Sequence, residues 1–257
     1  LLREGHDVEI YNQDMNHYPD GYLTQYLNEN RFDAVGISII AGYYPYKRLL
    51  GLSRAINDSK NRPLYILGGH GPSPDPEFFL KKTGADIVVI GEGEDTIKDI
   101  TETLEQKKSL SEVKGIAYRD GDDVVVNPRR PLIKDIDSIP YPAWHLFPIN
   151  YYRLVRIGPH SKNTDFLMQV LSGRGCTFEC NFCYRMDTGF RPRSNESIIE
   201  EINVLSKDYG INYIDFSDDL LMSSKSRVIS LCEDIIKAKL NVKWKCNGRL
   251  NYAETSV

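Results

Sequence analysis

Three cysteines crowded into the segment "SGRGCTFECNFCYR" (172–185) are the residues most able to do chemistry in this chain of 257 residues. Cys176, Cys180 and Cys183 follow a C-x3-C-x2-C spacing, although the whole chain holds only 5 cysteines. At that abundance a given cysteine would be followed by both others by chance in about 4 of 10,000 cases. Thiolates are good ligands for soft metal ions and for iron-sulfur clusters. The spacing therefore predicts a metal or cluster site.

The number of thiols separates the possible kinds of site. A structural zinc ion takes four Cys or His ligands, usually as two separated pairs. Neither Cys232 nor Cys246 supplies a second pair, and we interpret both as core residues. An iron-sulfur cubane normally takes four thiolates, one for each iron. With three thiolates, one iron stays open to bind another molecule.

Length, charge and cysteine usage limit the class of protein. A chain of 257 residues is long enough for two domains of about 100 to 150 residues each. The formal net charge of -4 gives no reason to expect a nucleic-acid partner. An odd number of cysteines, three of them clustered, is unlike a disulfide framework and predicts a reducing, cytoplasmic location. No apolar run reaches the roughly 18 to 20 residues of a membrane span.

Short apolar runs alternate with amphipathic segments in the first half of the chain. The predicted strands are "HDVEIY" (6–11), "DAVGISII" (33–40), "PLYILGG" (63–69) and "ADIVVIGEGE" (85–94). The predicted helices cover 46–56, 75–82 and 95–105. This alternation predicts a parallel sheet wound on both faces, with ligands beyond the carboxyl ends of its strands. Glycines gather at those ends.

A hairpin and a proline-rich segment follow the predicted sheet. "GIAYRDGDDVVVNP" (115–128) has the Asp-Gly turn of a hairpin, and "RRPLIKDIDSIPYPAWHLFP" after it has four prolines and no periodicity. We therefore expect a first domain at 1–112, a connection at 113–164 and a second domain at 165–257. In the connection, Tyr141 and Trp144 are expected to pack against a domain.

Strand and helix patterns alternate again from Asp165. Strands are predicted at "DFLMQVLS", "NYIDFSD" and "VKWKCNGR", and helices at "SNESIIEEINVLSKDYG" and "SKSRVISLCEDIIKAKL". The first helix has Ser194 or Asn195 as its cap and Gly210 as its stop. The second carries Cys232 on its apolar stripe. Three such units predict the beginning of a β/α barrel.

The cysteine motif matches a known family. A C-x3-C-x-aromatic-C pattern, here with Phe182 before Cys183, at the end of the first strand of a β/α barrel resembles the radical S-adenosylmethionine (SAM) superfamily. In that superfamily the open iron of a 4Fe-4S cluster chelates the amino and carboxylate groups of SAM. One electron from the cluster then cleaves SAM to methionine and a 5'-deoxyadenosyl radical, which abstracts hydrogen from the substrate.

Other segments resemble one branch of that superfamily, in which a cobalamin-binding module precedes the barrel. These are "DAVGIS", "LGGHGPSPDPE", "IVVIGEGE" and "IDSIPYPAW" upstream, and "RPRSNESIIEEI", "IDFSDDLL" and "WKCNGR" downstream. The resemblance implies an α/β fold: a Rossmann-like, doubly wound cobalamin-binding domain followed by a partial radical SAM β/α barrel. The first strand of the module and the second half of the barrel are expected to lie outside this sequence, so the chain is expected to be truncated at both ends.

The resemblance also implies roles for individual residues. Cys176, Cys180 and Cys183 would hold the cluster. Asp218 or Asp219 would accept hydrogen bonds from the SAM amino group, with capping of the helix that begins in "SSKSRV" as the alternative. Arg249 would contact the SAM carboxylate, with a solvated arginine as the alternative.

Cobalamin would lie between the domains, over the carboxyl ends of the first sheet. The residues expected to line its site are Ser38, Gly42, Gly69, His70, Gly91, Glu92 and Gly93. For the "GEGE" segment (91–94), a simple strand-to-helix turn with acidic residues is the alternative. For His70, the alternative is a surface histidine in a turn.

Three functions fit these observations. The favoured one is a cobalamin-dependent radical SAM methyltransferase that acts on an unactivated carbon of a small-molecule substrate, with an electron donor such as flavodoxin or ferredoxin. The second is a radical SAM enzyme of the same architecture that catalyses oxidative cyclisation or another rearrangement, or that has lost cobalamin. The third is a non-catalytic iron-sulfur redox or sensor protein. A methylthiolating radical SAM enzyme is disfavoured, because such enzymes carry an additional cysteine trio upstream and no cysteine precedes Cys176 in this sequence.

Overall fold

The computed structural model describes residues 1–154, 162–184 and 187–249. The chain divides into two units, Leu1–Ile133 and Lys134–Val257. Each unit contains its own sheet and its own buried apolar core.

A five-stranded mixed sheet forms the centre of the first unit. Its strands are β1 (Ala34–Ser38), β2 (Leu64–Gly68), β3 (Ile87–Val89), β4 (Ile116–Asp120) and β5 (Asp123–Val126). They lie side by side in this order, with β1 to β3 parallel and the β4–β5 hairpin antiparallel. The helices are α1 (Gln13–Asn16), α2 (Asp20–Glu29), α3 (Tyr43–Asn57), α4 (Pro76–Thr83) and α5 (Glu94–Glu105), with 3-10 turns at Leu2–Glu4 and Leu110–Glu112.

Helices cover both faces of this sheet. Tyr65 of β2 packs in one cluster with Leu49 of α3 and Leu80 of α4. The next residue, Ile66, points to the other face and packs in a second cluster with Ile100 of α5. The predicted doubly wound arrangement is therefore confirmed.

The prediction of a strand at 6–11 is wrong, because these residues form no strand in the structure. Alternating apolar and polar residues suit a strand only when another strand supplies hydrogen bonds. Within the described residues, β1 is the edge of the sheet and nothing pairs with its outer side. For the same reason β1 is less buried than its Val and Ile content predicted, and Ala34, Gly36 and Ser38 are exposed.

The predicted hairpin lies in the first of the two units, Leu1–Ile133. β4 pairs antiparallel with β3 along Ile87–Val89, so the hairpin extends the sheet instead of forming part of the connection. Ile116, Ala117 and Tyr118 of β4 are buried in the sheet, whereas Val126 at the end of β5 is exposed. The sequence pattern of the hairpin carried no information about which strand it would join.

Three parallel strands form the main sheet of the second unit. In chain order its elements are α6 (Ile149–Tyr152), β6 (Leu167–Val170), β7 (Gly173–Cys176), β8 (Gly189–Pro192), α7 (Asn195–Tyr209), β9 (Tyr213–Phe216), α8 (Lys225–Lys237) and β10 (Lys243–Cys246). β6, β9 and β10 are neighbours in that order, while β7 and β8 form a separate antiparallel ribbon. Two 3-10 turns lie at Ile136–Ser138 and Trp144–Leu146.

The predicted β/α units of this second sheet are confirmed. Phe216 of β9 packs in one buried cluster with Ile202 of α7 and Leu231 of α8. The side chain of Ser194 caps α7 by accepting a hydrogen bond from a backbone N–H, and Gly210 ends the helix in the left-handed conformation at φ 65°.

The proline-rich segment after residue 133 packs on the second unit. The Asp137 carboxylate accepts hydrogen bonds from the Ser194 N–H, at 3.0 and 3.2 Å. The Tyr141 hydroxyl donates to the Ser197 carbonyl at 3.0 Å, and Trp144 packs against the apolar core. These contacts confirm the packing role predicted for the two aromatic residues.

Candidate functional site

The three clustered cysteines lie on a loop that leaves the carboxyl end of β6. That strand ends at Val170, and the chain then enters the β7–β8 ribbon, in which Cys176 pairs with Gly189. Cys180 and Cys183 lie in the connection between the two ribbon strands. The N–H of Cys183 donates to the carbonyl oxygen of Cys180 at 3.2 Å, which folds this part of the loop into a turn.

The exposure of these thiols fits a cluster. Cys176 and Cys180 are half-buried, Cys183 is exposed, and all three are free of disulfide bonds. In the described parts of the chain, no three His, Cys, Asp or Glu side chains converge closely enough to hold a single metal ion. A cluster makes a different demand, because each thiolate binds a different iron. Three accessible thiols on one loop therefore suit an iron-sulfur cube better than a single ion.

The other two cysteines are core residues, as predicted. Cys232 and Cys246 both pack, partly buried, against the apolar core of the second unit. Burial raises the pKa of both thiols, which favours the neutral form over the thiolate that a metal needs.

Asp218 holds the beginning of the cysteine loop. Its Oδ1 accepts hydrogen bonds from the N–H groups of Ser172, at 2.7 Å, and Gly173, at 2.9 Å. Burial raises the pKa of the Asp218 carboxyl, while the two N–H donors and the positive charge of Arg227 act in the opposite direction. The second carboxylate oxygen, Oδ2, is buried and has no hydrogen-bond partner among the described residues.

The alternative role predicted for the two aspartates, capping of α8, is wrong. The cap of that helix is Ser224, whose Oγ accepts a hydrogen bond from the Arg227 N–H at 3.3 Å. β9 ends at Phe216, and the chain beyond it turns Asp218 into the interior and leaves Asp219 exposed. The sequence alone did not separate these two neighbours.

Arg249 lies against the cysteine loop. Its Nη1 donates to Sγ of Cys180 at 2.9 Å, and its guanidinium carbon lies 3.9 Å from the centre of the Phe178 ring. Arg249 is exposed, and these two contacts place its positive charge beside the thiol of Cys180.

The seven residues predicted to line a cobalamin site lie along one edge of the first sheet. Ser38 ends β1, Gly42 precedes α3, Gly69 and His70 follow β2, and Gly91, Glu92 and Gly93 follow β3. Parallel strands end at the same edge of a sheet, so these residues share that edge. His70 is exposed there.

Gly69 and Glu92 have structural roles at this edge of the sheet. Gly69 has a φ of 93°, and a Cβ added to it would lie 2.5 Å from the Ile39 carbonyl oxygen. Glycine is therefore required there by the backbone itself. The Glu92 carboxylate accepts a hydrogen bond from the Ile133 N–H at 2.8 Å. Together with the start of α5 at Glu94, this contact fits the alternative of a strand-to-helix turn for "GEGE".

An apolar pocket at the same edge was missed by the sequence analysis. It has a volume of about 310 Å³ and is lined by the segment 39–43 with Tyr46, Gly71, Phe78 and Phe79. Ile40 is 68% exposed and Tyr43 is 71% exposed, which is unusual for such large apolar side chains. The run "IIAGYYPY" (39–46) between β1 and α3 is the sequence signal that could have indicated it.

Known proteins are similar to this chain along most of its length. Residues 1–101 match the B12 binding domain family. A protein of Pyrococcus horikoshii named as an uncharacterized methyltransferase is 29% identical over 256 residues, which cover 98% of this chain and 53% of that protein. The anaerobic magnesium-protoporphyrin IX monomethyl ester cyclase of Rubrivivax gelatinosus is 28% identical over 226 residues, which cover 85% of this chain and 39% of the cyclase. The chain thus spans about half, or less, of these relatives.

A solved structure has the same fold. The radical SAM methyltransferase TsrM of Kitasatospora setae, determined with cobalamin and a 4Fe-4S cluster bound, is similar with a TM-score of 0.73 and 18% identity. The similarity covers 93% of this chain and 48% of TsrM. It confirms the predicted fold class, a Rossmann-like domain followed by part of a β/α barrel. In the part of the chain that the structure describes, no helix has the length and apolar character needed to cross a bilayer.

Residues 1–101 thus match the B12 binding domain family, and nearly the whole chain is similar to proteins named as a methyltransferase and a cyclase. The cysteine loop at the end of β6 lies outside the B12-binding match, in the second unit.

Proposed function

We propose that the protein is a cobalamin-dependent radical SAM enzyme that transfers a methyl group to an unactivated carbon of a small-molecule substrate. The observation that carries this proposal is the loop of Cys176, Cys180 and Cys183 at the carboxyl end of β6, in a chain whose residues 1–101 match B12 binding domains. When bound, a 4Fe-4S cluster supplies the electron that cleaves SAM, and cobalamin relays the methyl group. The chain's own residues bind and orient these groups.

The names of related proteins support methyl transfer and leave one catalytic alternative. The Pyrococcus horikoshii relative and TsrM are both named methyltransferases, whereas the Rubrivivax gelatinosus relative is named a cyclase. Oxidative cyclisation or another rearrangement is therefore the second candidate. A non-catalytic iron-sulfur protein is a weaker candidate, because three thiols leave one iron without a cysteine ligand.

Charged side chains around the cysteine loop suit SAM. The guanidinium of Arg249, beside Cys180, can hold the SAM carboxylate by a bidentate contact. Asp219 is exposed just beyond the carboxyl end of β9, where its carboxylate can accept hydrogen bonds from the SAM amino group. Oδ1 of Asp218 instead accepts two N–H groups from the backbone of the loop.

The carboxyl edge of the first sheet suits cobalamin. Gly42, Gly69 and Gly91 have positive φ angles. Because glycine has no side chain, a bulky macrocycle can approach the backbone there. The exposed side chains of Ile40 and Tyr43 offer an apolar surface that the macrocycle would cover.

Replacing Asp219 by Asn should weaken SAM binding by about 1.5 to 3 kcal/mol, because a hydrogen bond to a charged group has that strength. The cluster should be retained, since it is Asp218 that accepts the N–H groups at the start of the loop. The measurement is a SAM titration of the reconstituted protein, followed by the electron paramagnetic resonance (EPR) signal of its reduced cluster. Asp208→Asn, an exposed position near the end of α7, is the control, and equal affinity in both variants would remove Asp219 from the site.

Replacing Arg249 by Gln should weaken SAM binding by at least about tenfold, because Gln cannot form the charged bidentate contact. Lys237→Gln removes one positive charge from the exposed last turn of α8 and is the matched control. Isothermal titration of SAM into the reconstituted variants is the measurement. Wild-type affinity in Arg249→Gln would show that this residue serves the loop and not the SAM carboxylate.

The partners follow from the same chemistry. We propose a cytoplasmic enzyme that receives its electron from a donor such as flavodoxin or ferredoxin. Three thiols that remain outside disulfides support the reducing compartment. The net charge of -4 gives no reason to propose a nucleic-acid partner.

The test of the proposed function is product analysis. The full-length protein is reconstituted anaerobically with iron, sulfide and cobalamin and incubated with SAM and a reductant. We expect both 5'-deoxyadenosine and S-adenosylhomocysteine. Formation of 5'-deoxyadenosine without S-adenosylhomocysteine would favour cyclisation or rearrangement, and formation of neither would contradict a radical SAM enzyme.

A further inference from the structure

The backbone of Ser172 is held from two sides by side chains that are distant in sequence. Its N–H donates to Oδ1 of Asp218 at 2.7 Å, and the N–H of Gly173 donates to the same oxygen at 2.9 Å. Its carbonyl oxygen accepts from Nη2 of Arg227 at 2.7 Å and from the backbone N–H of Arg193 at 2.9 Å. Ser172 is completely buried.

The two side chains that hydrogen-bond to the Ser172 backbone, Asp218 and Arg227, carry charges that are costly to bury. Asp218 is only 4% exposed, and a buried carboxylate destabilises a fold unless it is paired and hydrogen-bonded. The positive charge of Arg227 favours the ionised form of this carboxyl against the larger effect of burial, and burial lowers the pKa of the Arg227 guanidinium. Neither side chain is needed to begin α8, because Ser224 caps that helix. Their contacts instead go to the start of the cysteine loop.

A short and rigid path leads from this point to the first cysteine. β7 begins at Gly173, directly after Ser172, and ends at Cys176. A Cβ added at Gly173 would lie 2.7 Å from the Phe190 ring and 2.8 Å from the Arg191 carbonyl oxygen, so β7 and β8 are closely packed there. A shift of Ser172 would therefore displace the ribbon and with it the thiol of Cys176.

We propose that Asp218 and Arg227 are positioning residues for the cluster: by clamping the backbone of Ser172 they fix the point from which the cysteine loop starts. The inference rests on the proposed function and changes the role of Asp218 from a SAM contact to a support of the loop. Loss of a residue that orients metal ligands typically lowers metal affinity by about 10- to 100-fold. The carboxylate oxygen is needed here as an acceptor for two N–H groups.

The experiment compares Asp218→Ala, Asp218→Asn and the control Asp208→Ala in the full-length protein after anaerobic reconstitution. The readouts are iron and sulfide per chain and the rate at which a chelator removes iron. Asp218→Ala should lose iron at least about tenfold faster than the wild type. Asp218→Asn should be close to the wild type, because its amide oxygen can accept the same two N–H groups. Circular dichroism shows whether each variant is folded.

The outcomes separate this inference from the proposed function. If the wild type assembles no cluster, the proposed function fails. If the wild type and Asp218→Ala retain iron equally, the positioning role of Asp218 and Arg227 is wrong, while the proposed function stands. The same conclusion follows if Asp218→Asn loses iron as fast as Asp218→Ala. If Asp218→Ala does not fold, the chelator experiment is carried out on Arg227→Gln. Faster iron loss than in the wild type supports the positioning role, and an unchanged rate contradicts it. A SAM contact at Asp218 predicts a different result, a stable cluster with weakened SAM binding in Asp218→Asn.

Discussion

Replacing Cys180 by Ala should yield a folded protein that assembles no intact 4Fe-4S cluster and forms no 5'-deoxyadenosine from SAM. The loss should be complete because each of the three thiolates binds a different iron. The same result is expected for Cys176→Ala and Cys183→Ala. All three side chains are at least partly exposed, so their removal creates no large cavity.

Cys232→Ala is the matched control for these variants. Its thiol packs against the core of the second unit, so its loss should cost about 1 kcal/mol of stability and leave the cluster intact. Iron content, the visible absorbance of the cluster and 5'-deoxyadenosine formation are measured for all four variants. Full SAM cleavage by Cys180→Ala would rule out the proposed cluster site.

Ile40→Glu should reduce the retention of cobalamin by the full-length protein at least about tenfold, since burial of an isoleucine side chain contributes about 1.5 to 3 kcal/mol. Tyr43→Glu should have a similar effect. Both side chains are mostly exposed at the carboxyl edge of the first sheet, so neither change disturbs the core. The measurement is corrinoid absorbance after purification in the presence of cobalamin.

Val126→Glu is the control for the cobalamin variants. Val126 is 55% exposed and ends β5, at the other side of the same sheet, so this change adds the same charge away from the pocket. Equal corrinoid retention in Ile40→Glu and Val126→Glu would contradict the proposed cobalamin surface. Substitution of Gly69 is less informative, because a side chain there would collide with the Ile39 carbonyl whether or not cobalamin binds.

Local sequence patterns predicted most of the secondary structure. The helix α7 begins and ends where Ser194 and Gly210 indicated, because caps are decided by neighbouring residues. The failures concern partners that are distant in the chain. Residues 6–11 alternate like a strand but lack a partner among the described residues, and the hairpin at 115–128 gave no sign that it would pair with β3.

The candidate site was predictable to a similar degree. The spacing of Cys176, Cys180 and Cys183 is a local pattern with a chemical meaning, so the sequence was sufficient to propose a cluster. The role of Asp218 was not predictable, because it depends on a hydrogen bond to Ser172, which lies 46 positions away. The apolar pocket was missed for the same reason: the segment 39–46 meets Phe78 and Phe79 only in the folded chain.

The open iron of the cluster decides between an enzyme and a redox protein. The measurement is the EPR spectrum of the reduced, reconstituted full-length protein with and without SAM. Because the C-x3-C-x2-C motif supplies three thiolates to four irons, we predict that SAM changes the spectrum and that the change saturates at one SAM per cluster. A spectrum that stays the same at saturating SAM would show a fully ligated cluster and would contradict the proposed function.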